Sequence, residues 1–510
     1  MAVTLSPVSA DKVSAPEYLV LKNPVTGEVI GQTPIYSAEA VQQVAARARA
    51  AFPAWAARPV KERAALVRGW ADLLWAEQKS VIQHIRRETG KTDLGAWEEV
   101  VVIDNTVAYY THNAERFLKP QTRRATIPIR HRARLYYKPY GVAGFITPWN
   151  YPLLNAFQDL IPALIAGNTV LLKPSELTPL VAIYIVQLMH QSGIPEDVIQ
   201  IVTGDGHTGA ALVDVVDYIA FTGSTAVGRR IAVRAAERLI PCSLELGGKD
   251  PFIVLNDANL ELAAAEALVG AVTENAGQVC ISTERVYVES GIYDAFIDKV
   301  KTLANQITIG SGDGFDVNVG SLTSERELHR VEAQVKDAVE KGAKLIWGGQ
   351  RRPDLGPLFI EPIILTDVTH DMSVMRDETF GPILPIMRVK DADEAIRLAN
   401  DSEYGLSAAI MTGDLRRGEQ LATRLESGDV HVNITHWIFG TPSLPMGGVK
   451  NSGVGRRNGP EGILRFVRPQ SILVDNQLLQ RPSLSRIDAL TMRGALLLRA
   501  IRRAVPFLRV

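Results

Sequence analysis

Cys280 closes the stretch "ENAGQVC" in a chain of 510 residues that contains only two cysteines. A cysteine thiolate attacks carbonyl carbon, and the thioester it can form is readily hydrolysed. A lone cysteine is more often a small buried hydrophobe, so its surroundings decide. Glu245, in "LELGGKDP", follows an apolar run and precedes two glycines. A carboxylate held beside closely approaching backbone suits a general base, and an exposed strand-end acid is the plain alternative. Asn150, in "PWNYP", offers a side-chain amide. Nucleophile, base and hydrogen-bond donor are thus all available.

Three further stretches suit a nucleotide. In "FTGSTAVG" an apolar strand ends at Phe221, Gly223 and Ser224 turn the chain, and a helix opens near Val227 and Gly228. Free amides at such a helix start can take a phosphate, although a plain strand–helix connection reads the same way. "LLKPSE" places Lys173 and Glu176 after a buried strand. A carboxylate there can accept both hydroxyls of a ribose and would repel a 2′-phosphate; a solvated loop is the alternative. "DETFGP" sets Glu378 beside Phe380, either a clamp for a flat ring or a surface turn.

The elements that must position these residues are mostly α/β. From Gly141 onward, short apolar runs such as "GVAGFI", "NTVLL", "VIQIV" and "VDYIAF" alternate with helical stretches such as "PLVAIYIVQLMHQSG". That alternation predicts a parallel sheet with helices on both faces. After Gly247 it repeats in "PFIVLND", the helical "NLELAAAEALVGAVTENAG", "ERVYVES", "YDAFIDKVKTLANQI", "GPILPIMRV" and "AAIMTG", predicting a second α/β unit. Earlier, "SAEAVQQVAARARAAFPAW" and "VKERAALVRGWADLLWAEQKSVIQHIRRETG" each predict a helix, the latter capped by Gly90. Basic and apolar residues alternate through 121–140, which reads as an exposed hairpin.

Composition excludes several classes. Two cysteines cannot form a disulfide framework, which points to a reducing, cytoplasmic setting. A net charge of −1 provides no field for nucleic acid. The N-terminus lacks a signal-peptide layout, and no apolar run approaches the ~20 residues a membrane span needs.

"PWNYP", "KPSE", "FTGST..G", "ELGGKDP", "GQVC", "ETFGP" and "PMGGVKNSGVGR" stand in the order and rough spacing of the NAD(P)-dependent aldehyde dehydrogenase superfamily, which the chain resembles over approximately residues 20–475. Each is modest alone; seven in sequence are highly specific. "GQVCISTER" and the ending "PMGGVKNSGVGRRNGPEG" look most like a bacterial subgroup labelled succinate-semialdehyde dehydrogenase.

The resemblance implies an α/β fold with a Rossmann-like NAD-binding domain (1–120 and 141–247), a catalytic domain (248–445) and a small β oligomerisation arm (121–140 and 463–476). It further implies a homodimer or homotetramer. Cys280 would attack the aldehyde, with the Asn150 amide and the Cys280 backbone N–H as oxyanion hole. Glu245 would then activate water to release the acid. Lys173 and Glu176 would hold the adenosine ribose, Ser224 the pyrophosphate and Glu378 the nicotinamide ribose. Ile146, Thr147, Pro148 and Trp149 would line the same cofactor site, with Phe221, Gly223, Val227, Leu246 and Phe380. NAD is expected over NADP because of Glu176, and no metal is implied. A coenzyme-A-acylating enzyme would not require Glu245, and a scaffold that kept only the fold should have lost Cys280, Asn150 or Glu245.

The chain also departs from the family. Gly-Arg-Arg stands at 455–457 where many members read Gly-Arg-Glu, and Met446 stands where Phe is common. Members specialised for succinic semialdehyde are expected to carry Arg at the positions of Gln158 and Glu274. The rest of the expected substrate channel, Tyr151, Val279, Ile281, Trp437 and Phe439, is apolar or aromatic, which suits uncharged aliphatic or aromatic aldehydes. Beyond the resemblance, a tail at 481–510 places Leu497, Ile501, Val505 and Leu508 on one helical face and Arg499, Arg502 and Arg503 on another, with Pro506 limiting the regular helix. Such a segment is expected to dock on protein or on an anionic membrane surface.

Overall fold

Val142–Ile146, Thr169–Lys173 and Tyr218–Thr222 are each buried along all five residues, as strands covered on both faces must be. They form the centre of a six-stranded sheet in the computed structural model, which describes residues 17–125, 131–476 and parts of a helix within 493–503. The sheet runs Gly453–Val454, Cys242–Glu245, Tyr218–Thr222, Val142–Ile146, Thr169–Lys173, Ile199–Ile201, and only the Gly453–Val454 edge is antiparallel. Strand order reverses at Val142–Ile146, because the next strand in sequence lies on one side and Tyr218–Thr222 on the other. Such a switch point opens a crevice at the carboxyl ends of the strands, here just beyond Ile146, Lys173 and Thr222.

A second, seven-stranded sheet has the order Lys344–Gly348, Ile363–Thr366, Ile383–Val389, Thr283–Glu289, Asp250–Val254, Ala409–Met411, His431–Val432. It too is parallel except at the Lys344–Gly348 edge. The α/β reading therefore holds for both sheets. A three-stranded antiparallel sheet joins Gln121–Arg123, His131–Pro139 and Val467–Asp475. Its strand Val467–Asp475 leaves Leu473 64% exposed beside Ile472 and Val474. The turn of the expected hairpin, 126–130, lies outside the described residues.

Three readings of local structure change. The stretch at 60–90 is two helices, Val60–Ala76 and Gln78–Thr89, broken at Glu77 so that Val67, Trp70 and Leu74 and then Val81 and Ile85 all face the core. Gly90 closes the second in a left-handed conformation, as expected. The helix expected through 259–277 is α-helical only over Leu260–Leu268. It widens to a π-turn at Val269–Thr273 and ends in a 3-10 stretch at Glu274–Gly277. A 26-residue helix, Asp93–Leu118, was not anticipated.

In the tail, residues 493–503 are helical wherever described, and Leu496 and Leu497 are 61% and 63% exposed rather than packed on the chain. Arg502, Val505, Pro506 and Leu508 lie outside the described residues. Among those described, no helix is long and apolar enough to cross a membrane.

Candidate active site

The loop carrying Cys280 begins where the helix from Leu260 loses its regular turn. Asn275, Ala276 and Gly277 all have positive φ, a conformation disfavoured for alanine by about 1–2 kcal/mol. The surroundings hold it there. A Cβ at Gly277 would stand 2.3 Å from the Gly381 carbonyl oxygen, so only glycine fits. Gln278 donates to the Asn275 carbonyl at 3.1 Å and accepts from the Thr323 N–H at 2.9 Å. Asn275 donates in turn to the carbonyls of Asn150 and Gln278, each at 3.1 Å. π-turns and strained backbone of this kind gather at functional sites.

The same loop brings the three chemical candidates together. Asn150, just past the switch point, donates its side-chain amide to the Gln278 carbonyl at 2.9 Å. Gly248, three residues beyond Glu245, lies so close to the cysteine that a Cβ would meet the Cys280 carbonyl oxygen at 2.6 Å. Cys280 keeps a partly exposed edge, flanked by buried Val279 and Ile281. Burial pushes its thiol up to about 12, against the pull of the Arg457 cation. Glu245 ends the strand Cys242–Glu245 and is 5% exposed; burial pushes its carboxyl up to about 7, again opposed first by Arg457.

Arg457 was singled out in the sequence only as a departure, and its surroundings carried no signal there. It is fully buried among Asp159 at 3.1 Å, Asn155 at 3.3 Å and Thr222 at 2.9 Å, with Glu245 at 4.0 Å. Arg465 holds the other oxygen of Asp159 at 2.5 Å.

The nucleotide candidates converge on the crevice. Lys173 is buried with its Nζ 3.5 Å from Glu176, which is half exposed, and its carbonyl accepts from the Thr147 N–H at 3.1 Å. Ser224, just after the strand Tyr218–Thr222, opens the helix Thr225–Glu237 without spending its hydroxyl on a capping bond, and a helix start of this kind leaves first-turn amides unpaired within the helix. Leu246 packs against that helix at Gly228; Ile146 and Phe221 are buried and Val227 partly so. Beyond Pro148, the Trp149 and Phe380 rings meet edge to face at 5.4 Å. Glu378 accepts from the Gly248 N–H at 3.2 Å, and burial, with Glu284 nearby, pushes its carboxyl up to about 7. A helix start whose serine hydroxyl is unspent, a lysine–glutamate pair and a half-buried carboxyl two residues before Phe380 are groups of the kind a dinucleotide requires, and these residues would fit one.

The expected channel residues separate. Tyr151 and Phe439 are buried with ring centroids 6.4 Å apart, whereas Trp437 is 65% exposed. Gln158 is buried and donates to Asn458 at 3.0 Å. Glu274 accepts from the Tyr151 hydroxyl, beside Glu98, which the sequence reading missed. Burial and the Glu274 charge push Glu98 up to about 8. Lys91 lies 3.4 Å from the centre of the Tyr151 ring and is bound to Glu99 at 2.6 Å.

Residues 12–472 match the model of the aldehyde dehydrogenase family. A Mycobacterium ulcerans (strain Agy99) protein with the provisional name succinate-semialdehyde dehydrogenase (NADP+) 2 is 45% identical over 449 residues, 88% of this chain and 86% of its own. A Methylomonas protein named 4,4'-diapolycopene aldehyde oxidase is 39% identical over 469 residues, 90% of this chain and 86% of its own. Among solved structures, an NAD-dependent aldehyde dehydrogenase of Sinorhizobium meliloti superposes with a TM-score of 0.87 at 36% identity, covering 92% of each chain. The chain belongs to the aldehyde dehydrogenase family and is an NAD(P)-dependent aldehyde oxidoreductase.

Proposed function

We propose that the protein oxidises uncharged aliphatic or aromatic aldehydes to their acids with NAD, through a thioester on Cys280. The observation that carries this reading is the convergence of Cys280, Glu245 and Asn150 on one loop at the mouth of the crevice. Cys280 attacks as its thiolate, once the thiol, which burial pushes up to about 12, has given its proton to solvent. Cys280 Sγ then bonds the aldehyde carbon. The Asn150 amide and the Cys280 N–H receive the oxyanion of the thiohemiacetal. Bound nicotinamide supplies the hydride acceptor. The acyl group remains on Cys280 as a thioester. Glu245 takes a proton from water, the water oxygen bonds the acyl carbon, and the C–S bond breaks to release the acid and the thiolate.

Lys173 and Glu176 would bind the adenosine ribose, Ser224 and the helix start the pyrophosphate, and Glu378 the nicotinamide ribose. NAD is favoured by the Glu176 charge, even though the M. ulcerans relative is named for NADP. Uncharged aldehydes are favoured by the buried Tyr151, Val279, Ile281 and Phe439 and by the carboxyls of Glu98 and Glu274. The Methylomonas relative is named for 4,4'-diapolycopene aldehyde rather than for succinic semialdehyde. The M. ulcerans name favours succinic semialdehyde, the second reading. NADH formation across a panel of aldehydes beside Cys280→Ala tests the proposal; Cys280→Ala should lose nearly all activity, since nucleophile loss typically costs orders of magnitude.

The three-stranded sheet at 121–123, 131–139 and 467–475 is proposed as the oligomerisation arm of a cytoplasmic homodimer or homotetramer, supported by the exposed Ile472, Leu473 and Val474. Mass measurement in solution of a variant truncated before residue 467 would contradict this if the assembly persisted. The exposed Leu496 and Leu497 support a tail that docks on a neighbouring subunit or an anionic membrane. Deleting 485–510 should alter solubility, membrane retention or chain-length selectivity, and no change in any of the three would contradict docking.

A further inference from the structure

Arg457 is a buried charge beside the cysteine loop that the proposed mechanism leaves without a role. A guanidinium that is 1% exposed is costly unless its charge and hydrogens are matched. Part of its fork is matched: Nη1 donates to Asn155 at 3.3 Å, and Nη2 donates to Thr222 at 2.9 Å and reaches Asp159 at 3.1 Å. Its backbone is fixed as well, exchanging hydrogen bonds with Met446 at 2.9 and 2.7 Å. What remains is Nε, which has no hydrogen-bond partner. Oε1 of Glu245 has none either, and the two atoms stand 4.0 Å apart. An unspent cationic donor and an unspent carboxylate oxygen thus face one another beside the cysteine loop.

We propose that Arg457, anchored by Asp159, is the positioning residue of Glu245, supplying the fixed cation that keeps the base charged and aimed at the Cys280 thioester. The proposal rests on the reading of Glu245 as the base of thioester hydrolysis. Burial alone would leave the Glu245 carboxyl protonated near neutrality, unable to accept a proton from water. Four charges act on it: Arg457 most strongly, then Asp159, Arg465 and Arg456. Asp159 is shared between Arg457 and Arg465, whose own neighbours include Tyr110 and Tyr218. Arg457 is also the first cation acting on Cys280, where Asp250, Glu245 and Glu378 oppose it. One aspartate between two arginines leaves the backing of Glu245 net positive. The arrangement has a directional signature. Loss of the cation drives the Glu245 titration up, and loss of the Asp159 anion drives it down. A role confined to packing would lower rates without moving the two in opposite directions.

The test follows the decay of acyl-Cys280 after a single turnover of the full-length enzyme with NAD and a medium-chain aldehyde, quenched and read by mass spectrometry as a function of pH. In Arg457→Gln the acid limb of decay should move up by about one pH unit, and in Asp159→Asn it should move down. Arg457→Lys, which keeps the charge, should restore the wild-type limb even if the rate stays low. Limbs that coincide with wild type, or that move in the same direction, overturn the proposal. Should one variant fail to fold, the limb of the other decides alone. Glu245→Gln separates the two readings: wild-type decay in that variant defeats the base assignment itself. Stalled decay there, with unmoved limbs in Arg457→Gln and Asp159→Asn, defeats only the role of Arg457.

Discussion

The Asn150 side chain donates to the Gln278 carbonyl at 2.9 Å, two residues ahead of Cys280, and so ties the switch point of one sheet to the cysteine loop. Asn155 donates to the Asn150 side-chain oxygen at 3.2 Å, which fixes the amide's orientation. A donor held this firmly can meet developing charge without reorganising. Asn150→Ala and Asn150→Asp are therefore both expected to lower kcat by about a hundred- to a thousandfold, the usual cost of an oxyanion-hole donor. NAD affinity should change little. If either variant kept more than about a tenth of the wild-type kcat, the amide would not be such a donor.

Glu176 carries the cofactor prediction. Its carboxylate stands 3.5 Å from the Lys173 ammonium at the edge of the crevice. Glu176→Gln removes the charge that would oppose a 2′-phosphate and leaves Lys173 to attract one. The ratio of kcat/KM for NAD over NADP should exceed one in the wild type and fall at least about tenfold in the variant, ~1.4 kcal/mol of discrimination. A wild-type ratio below one would show that Glu176 does not face the ribose.

Most of this framework could be read from the sequence. Val142–Ile146, Thr169–Lys173 and Tyr218–Thr222 are mostly apolar because they are buried on both faces, so length and alternation with helices sufficed. The helix Asp93–Leu118 went unread although Ala96, Val100, Ile103, Val107, Tyr110 and Ala114 follow a helical period. The π-turn before Cys280 was not legible, since periodicity cannot register one widened turn. Nor was the site's electrostatics. Arg457 meets Glu245 and Asp159 only in the folded chain, and Glu98 in "GAWEEV" looks like part of a solvated helix face. Gln158 shows the converse, because its partner Asn458 is supplied from the far end of the chain.

Glu98 and Glu274 bear on substrate charge. Burial and Glu274 already push Glu98 up to about 8, so this wall resists even a second negative charge. Its nearby cation, Lys91, is bound to Glu99 beneath the Tyr151 ring. The carboxylate of succinic semialdehyde should find no counter-ion there. Its kcat/KM should fall at least about tenfold below that of a medium-chain uncharged aldehyde, and Glu274→Gln should narrow the gap. Succinic semialdehyde as the better substrate would contradict this account.

The titration of Cys280 gives a pH prediction. With the thiol pushed up to about 12, the thiolate fraction rises tenfold per pH unit through the neutral range. Alkylation of Cys280 by iodoacetamide in the free enzyme should therefore climb steadily, with no plateau below about pH 10. Thioester hydrolysis should instead fall as pH drops through about 7, where Glu245 takes up a proton and ceases to be a base. A plateau in alkylation near neutrality would mean that the resting thiol is already ionised.

The central claim is that the substrate is carried on Cys280 and released by Glu245. Glu245→Gln, mixed with NAD and an uncharged aldehyde and quenched within one turnover, should accumulate a single acyl group on the peptide containing Cys280. One equivalent of NADH should form with it. Cys280→Ala under the same conditions should form neither. An acyl group on another residue, or NADH from Cys280→Ala at more than about a hundredth of the wild-type rate, would contradict the account.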